Sequence, residues 1–303
     1  MSISLNVLSD NFRPSSNDLV KVTTCGPITD ILYSTHRSSG SVIKKLDKNF
    51  YIDTRNGEVK EFNHHDKRSD DMKSVARSIA EIRNMINANV TDATKCKFIT
   101  LTYAENMRDT KKVFNDFKNF WNKKFIKSFP DTDYISILEP QGRGAWHLHI
   151  IVIFKEKAPF ISNDLIEKLW GHGFTNTRKI DNVDNVGAYL SAYLGDLPFE
   201  EANQMGINTE YAPYKTLEVE DENGNKISKK FIKGGRLPLY PAGVHIMRYS
   251  RGCKKPTIEY CKNEEAEFKV MFDEMTYEVT KEITDTETGF RNTINRRCYN
   301  SIR

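Results

Sequence analysis

The stretch Tyr134-Ile135-Ser136-Ile137-Leu138-Glu139-Pro140-Gln141-Gly142-Arg143-Gly144-Ala145-Trp146-His147-Leu148-His149-Ile150-Ile151-Val152 decides the reading of this chain. Two β-rich runs flank a Gly-Arg-Gly turn, which predicts an antiparallel hairpin over Tyr134 to Glu139 and His147 to Phe154. Symmetry about Arg143 sets Glu139 opposite His147 on one face. His147 and His149 are two apart in a strand, so both imidazoles project from that same face, about 6 to 7 Å apart along the backbone. A slip of one residue would turn Glu139 to the other side. Two imidazoles and a carboxylate with open positions suit Mg²⁺ or Mn²⁺, and imidazole also admits Zn²⁺, Ni²⁺ or Co²⁺. Structural zinc fits less well, because no cysteine or fourth ligand is near in sequence.

Outward from the hairpin the elements are regular. Phe98 to Tyr103 reads as a strand, Asp109 to Phe129 as a helix with Val113, Phe117, Phe120, Trp121 and Phe125 on one stripe, and Asn163 to Trp170 as a short helix. Phe174 to Ile180 reads as a strand and Asp184 to Leu194 as a helix capped near Asp181 or Asp184. This β-α-β-β-α-β-α order predicts an α+β, ferredoxin-like antiparallel sheet with helices on one face, plus N- and C-terminal extensions. The division expected is 1–96 for an N-terminal hairpin and helix region, 97–199 for a catalytic domain, and 200–303 for a basic then acidic region. Asn-Gly turns predict hairpins at Phe50 to Phe62 and Thr216 to Ile232, and apolar spacing predicts a helix over Ser69 to Ala88.

On the last helix of that order, Tyr189 and Tyr193 are four apart, which stacks two phenols one turn apart. Val186, Leu190, Tyr193, Leu194 and Leu197 share an apolar stripe with Tyr193 near its middle and Tyr189 at its rim. Core packing accounts for Tyr193 more readily than for Tyr189. Phenol is a weak nucleophile, with a pKa of about 10. A metal that neutralises nonbridging phosphate oxygens would help it attack a phosphodiester, so the histidines, the glutamate and the tyrosines together make sense as metal-assisted phosphoryl transfer to tyrosine.

The 303 residues are 38% hydrophobic and 28% charged, a balance that excludes disorder throughout and leaves room for one or two domains. No apolar run reaches the roughly 18 residues of a membrane helix, and no apolar core follows the N-terminus, so a soluble, cytoplasmic protein is expected. The five cysteines form no Cys-x-x-Cys pair, which argues for reduced thiols. The net charge of +4 is mild, but nine Lys and Arg crowd 226–255 with no acid among them, whereas 256–290 holds ten acids and three bases. Lys229, Lys230, Lys233, Arg236, Arg248 and Arg251 are therefore candidate phosphate contacts, as is Arg143 in the tight turn, although charge runs are often only solvated faces. His172, between two glycines, reads as a turn residue, and His64 and His65 as exposed.

Phe98-Ile99-Thr100-Leu101-Thr102, the Glu139 to His149 run, and Tyr189-Leu190-Ser191-Ala192-Tyr193 resemble, in order, the three motifs of rolling-circle replication initiators of the HUH endonuclease superfamily. Trp170 to Ile180 also looks like the strand between the second and third motifs, and Gly235-Arg236-Leu237-Pro238-Leu239-Tyr240-Pro241 like a downstream segment of plasmid-type members. The resemblance implies a plasmid or phage endonuclease that nicks one strand at an origin, keeps the 5′ end as a phosphotyrosine and leaves a 3′ hydroxyl. It also implies metal on His147 and His149 with Glu139, and a two-tyrosine type in which one phenol nicks first and the other acts at termination. Many relatives carry a lysine three residues after the first tyrosine; Ala192 stands there, so no lysine is given a catalytic role. No phosphate loop of helicase type occurs, so the partners expected are origin DNA and a host helicase and polymerase. The alternatives are a relaxase or transposase with the same chemistry, a non-enzymatic single-strand-binding module, and a metal-dependent hydrolase of small phosphates.

Overall fold

The computed structural model describes residues 3–8, 12–36, 43–62, 72–141, 144–180, 185–187, 190, 195–205, 214–220, 226–232, 235–236, 239–241 and 243–302. Two compact units divide the chain, one made of 66–255 and the other of 1–65 with 256–303. Both are built on antiparallel sheets with few helices, so the fold is α+β. The sequence division at 96 and 199 cuts across these units. Its reason is non-local pairing: strands from both ends of the chain share one sheet, which no local periodicity reveals.

In the unit 66–255 a five-stranded sheet runs in the order Thr175–Lys179, Cys96–Leu101, Trp146–Ile153, Asp133–Pro140, Met247–Tyr249. The predicted hairpin is its centre, and its register places Glu139 opposite His147 and Ile137 opposite His149. The turn closes through Gln141 N donating to Ala145 O and Gly144 N donating to Gln141 O, each at 2.8 Å. Pro140 ends the strand because it has no amide proton to extend the ladder.

Alternation gives the sheet two faces. Tyr134, Leu138, Trp146, Leu148, Ile150 and Val152 face the helical segment that starts at Thr110, where the Phe117 and Trp121 rings lie 4.9 and 4.6 Å from the Tyr134 ring. Asp109 caps this segment by accepting from Lys111 N and Lys112 N. The α-turns of Thr110–Asn119 widen to π-turns over Phe120–Phe125, and Phe120, Trp121 and Phe125 are all buried there. Glu139, His147, His149 and Thr100 lie on the other face.

The helix Met72–Asn89 buries Ile82, Met85 and Ile86 in the same core. Only Asn185 to Gly187 and Leu190 are described of the helix expected over Asp184 to Leu194. Val186 and Leu190 join that core as the apolar spacing predicts. Gly187 lies so close to the helix Met72–Asn89 that a Cβ there would meet Arg83 O at 2.3 Å and Asn87 Oδ1 at 2.5 Å. Gly187 N donates to Asn87 Oδ1 at 2.7 Å, and Asn87 Nδ2 donates to Asn185 Oδ1 at 2.9 Å.

A three-stranded sheet of Leu197–Pro198, Lys226–Ile232 and Tyr214–Glu220 contains the second expected hairpin, with Glu220 opposite Lys226. The other unit has a six-stranded sheet ordered Ile3–Leu8, Glu274–Asp285, Phe290–Asn300, Ile28–Ser34, Leu19–Cys25, Thr257–Lys262, and a small sheet that holds the first Asn-Gly hairpin. All five cysteines are free and buried. Among the described residues no helix is long and apolar enough to cross a membrane.

Candidate active site

The Glu139 side chain ends in a buried pocket of polar groups. His149 Nε2 lies 2.6 Å from Glu139 Oε2, Gln141 Nε2 donates to the same oxygen at 2.8 Å, and Arg236 Nε stands 3.0 Å from Oε1. With Nε2 facing a carboxylate, that nitrogen carries the proton and Nδ1 accepts from the Thr100 hydroxyl at 3.1 Å. The imidazole also stacks on Phe98, with ring centres 5.3 Å apart. His149 is thus held on three sides by neighbouring strands. His147 is more open, and its Nδ1 is 4.0 Å from Glu139 Oε2.

Burial pushes the Glu139 carboxyl up, but the imidazole of His149, the Arg236 guanidinium and His147 outweigh it and hold the group below the usual carboxylate range. Arg236 is itself buried. Its Nε also donates to Asp196 O, Nη1 to Pro140 O and Glu201 Oε1, and Nη2 to Glu201 Oε2 at 2.9 Å. One guanidinium thereby joins two carboxylates from distant parts of the chain. Behind the site the buried Tyr240 hydroxyl donates to Leu138 O at 2.8 Å.

This corrects the expectation that Arg236 contacts DNA. At 6% exposure, with its protons directed at Glu139, Glu201 and two carbonyls, it has no face to offer a phosphate. Lys230 is exposed, its ammonium 5.0 Å from the Tyr214 ring centre and 6.0 Å from that of Phe199, while Lys229 is half-buried. Arg251 is exposed in a turn. Arg248 is exposed on the edge strand, but its guanidinium lies 3.7 Å over the Phe114 ring, on the sheet face away from His149. Tyr189, Tyr193, Arg143 and Lys233 lie outside the described residues.

Sequence reasoning brought Glu139, His147 and His149 together and missed Gln141, Thr100, Arg236 and Glu201 as their supports. The hairpin register, read one pair further, sets Thr100 opposite His149. Arg236 gave a signal in its apolar neighbours, Leu237, Leu239 and Tyr240, which set it apart from the more polar run before it.

In kind, two imidazoles and an ionised carboxylate on one rigid face fit a divalent cation. In arrangement, the carboxylate is fully engaged by His149, Gln141 and Arg236, and no group of three His, Cys, Asp or Glu among the described residues is disposed to hold a metal. A cation would take the place of the His149 to Glu139 hydrogen bond.

His172 is a turn residue as expected, with an added contact. Its Nε2 lies 3.9 Å from Asp116 Oδ2, which also accepts from the Tyr103 hydroxyl and from Lys112 Nζ. No curated protein and no solved structure matches the chain. Residues 96–197, the span that holds Glu139, His147 and His149, match the family described as replication-associated protein, ORF2 type, which is consistent with a part in replication initiation.

Proposed function

We propose that the unit 66–255 is a metal-assisted DNA-nicking and strand-transfer endonuclease of the HUH, two-tyrosine type, which starts rolling-circle replication of a plasmid or phage. The observation that carries this reading is the cross-strand register of Glu139 with His147 and His149, inside the span that matches replication-associated proteins. His147, His149 and Glu139 would hold a divalent cation, Mg²⁺ or Mn²⁺, which when bound neutralises the nonbridging oxygens of the scissile phosphate. The chain's own part is positional. Thr100 and Phe98 fix the His149 ring, and Arg236 keeps Glu139 ionised. Tyr189 supplies the phenol oxygen that attacks phosphorus. The bond from phosphorus to the 3′ oxygen breaks, that oxygen takes a proton, and the 5′ end stays on the tyrosine. Tyr193 serves as the second acceptor. Origin DNA is the substrate, and a host helicase and polymerase would extend the 3′ end.

The fully engaged carboxylate favours a second reading, a single-strand-binding module without catalysis. Incubation of the full chain with a single-stranded origin oligonucleotide and Mn²⁺, followed by a denaturing gel, separates the two. A covalent adduct is expected, lost in excess EDTA, in His149→Ala and in the double variant Tyr189→Phe/Tyr193→Phe. Tyr189→Phe alone should lose most of it, whereas Tyr193→Phe should nick and fail at a second transfer. Adduct that persists in the double variant would eliminate both tyrosines, and no adduct under any condition would favour the binding module.

A further inference from the structure

The sheet edge beside His149 carries chemistry that the nicking reaction does not use. Thr175–Lys179 is an edge strand, paired with Cys96–Leu101. Its Thr175 and Thr177 face the helix Asn163–Trp170: the Thr175 hydroxyl donates to Asn163 O, and Thr177 N donates to Asn163 Oδ1 at 2.7 Å. Alternation therefore turns Phe174, Asn176 and Arg178 to the other face, which is the face of His149. Asn176 opposes Thr100 and Thr100 opposes His149, so the three share one cross-strand row. Asn176 stands two strand spacings, about 10 Å, from His149.

Phe174 is 61% exposed although its backbone is firmly held. Thr102 N and the Thr102 hydroxyl both donate to Phe174 O, at 3.1 and 2.7 Å. The preceding Gly173 fits so tightly that a Cβ would meet Ala104 N at 2.5 Å. Cations at a sheet edge have an ordinary purpose, since they discourage a further strand from pairing, and this accounts for Arg178 and Lys179. It does not account for an aromatic ring held open to water. A rigid ring, an amide and a guanidinium on alternate positions, about 6.8 Å apart, match a chain of unpaired bases and phosphates. Duplex bases are already stacked on one another, so such a ring takes an unpaired base.

We propose that Phe174, Asn176 and Arg178 form a landing track that leads a single strand into the His147 and His149 site; the track rests on the reading of that site as a nicking centre. Phe174 stacks on a base, and Arg178 contacts phosphate. The test is fluorescence anisotropy of the full chain with a short fluorescein-labelled oligothymidylate, beside the adduct assay. Phe174→Ala should weaken binding about tenfold and leave the salt dependence unchanged, as stacking is sequence-tolerant and uncharged. Phe174→Trp should restore affinity. Arg178→Gln should lower the slope of log K against log salt by about 0.7. Binding that depends on Phe174 in a protein that never forms adduct would keep the track and dismiss the nicking reading. Wild-type affinity in both Phe174→Ala and Arg178→Gln, or no binding by the wild type, would overturn the track. So would a change of self-association in Phe174→Ala, measured by sedimentation, with oligothymidylate affinity intact, because the edge would then be a protein interface.

Discussion

Replacement of Arg236 by Met removes a buried guanidinium while keeping most of its volume, and it isolates what holds Glu139 in place. The lost contacts are specific: Nε to Glu139 at 3.0 Å, Nε to Asp196 O at 3.0 Å, Nη1 to Pro140 O at 3.0 Å, and a forked pair to Glu201. Glu139 would keep His149 and Gln141 but would stay buried with its charge poorly compensated. Removal of one partner of a buried pair costs about 3–5 kcal/mol. For a domain of this size, about 2–4 °C is lost per kcal/mol, so a fall in Tm of roughly 6–20 °C is expected. The assay is thermal unfolding of Arg236→Met, Glu139→Gln and the double variant at pH 7. The pair should be coupled by about 1–3 kcal/mol, with the double variant less damaged than the sum of the singles. Glu201→Gln should cost less, about 1 kcal/mol, because Glu201 is part-exposed and water replaces some of what is lost. If Arg236→Met melts within about 2 °C of the wild type, the claim that the guanidinium secures the carboxylate is refuted.

Three further outcomes follow from other parts of the structure. Burial raises the Asp116 carboxyl, but hydrogen bonds from Lys112 and Tyr103 and the nearby charges of His172 and Lys112 leave it lowered overall. A folded pKa below the unfolded value of about 3.9 gives stability that is present above that pH and lost as pH falls through the folded value. Asp116→Asn should therefore lower the urea midpoint at neutral pH, and its deficit should shrink in strong acid. Burial pushes the Cys96 thiol up to about 12, and Cys253 and Cys261 are raised by burial too. A thiol reagent should thus leave the native protein nearly unmodified at pH 8 and titrate five thiols in denaturant, and fast native labelling of Cys96 would contradict its burial. Gly187→Ala places a methyl against Arg83 O, which should cost about 1–3 kcal/mol in urea unfolding and reduce adduct formation by displacing the start of the tyrosine segment.

The hairpin at the centre of the site was legible in the sequence because two period-2 runs sit symmetrically about a glycine-bounded turn. Symmetry and burial of both faces leave one register, the one that pairs Glu139 with His147. The helix from Asp109 was legible from its cap and its aromatic stripe, although nothing in that stripe announces the wider turns at Phe120–Phe125. Arg236 was misread because a cation inside a basic run resembles its neighbours, and its partners are 97 and 35 positions away in Glu139 and Glu201. Pairing between the chain ends was not read at all. Glu274–Asp285 and Phe290–Asn300 do flank a turn, Thr286 to Gly289, so their hairpin had a local signal. Their outer neighbours, Ile3–Leu8 and Ile28–Ser34, had none, because sequence patterning does not say which of several strand edges will meet.

That pairing sets an order on biosynthesis. A ribosome releases Ile3–Leu8 long before Glu274–Asp285, the strand that Ile3–Leu8 pairs with, and releases Ile28–Ser34 long before Phe290–Asn300. The hairpin of Leu19–Cys25 with Ile28–Ser34 can form early, but both of its outer edges stay open until Thr257–Lys262 and Phe290–Asn300 have been made. Open strand edges recruit other chains. Throughout that interval residues 66–255 emerge, and all five strands of the sheet that bears His147 and His149 come from them. Each halving of the loop between the two chain ends saves about 0.6 kcal/mol of closure entropy, so compaction of this inserted unit brings the waiting edges and their late partners together more cheaply than an unfolded tether would.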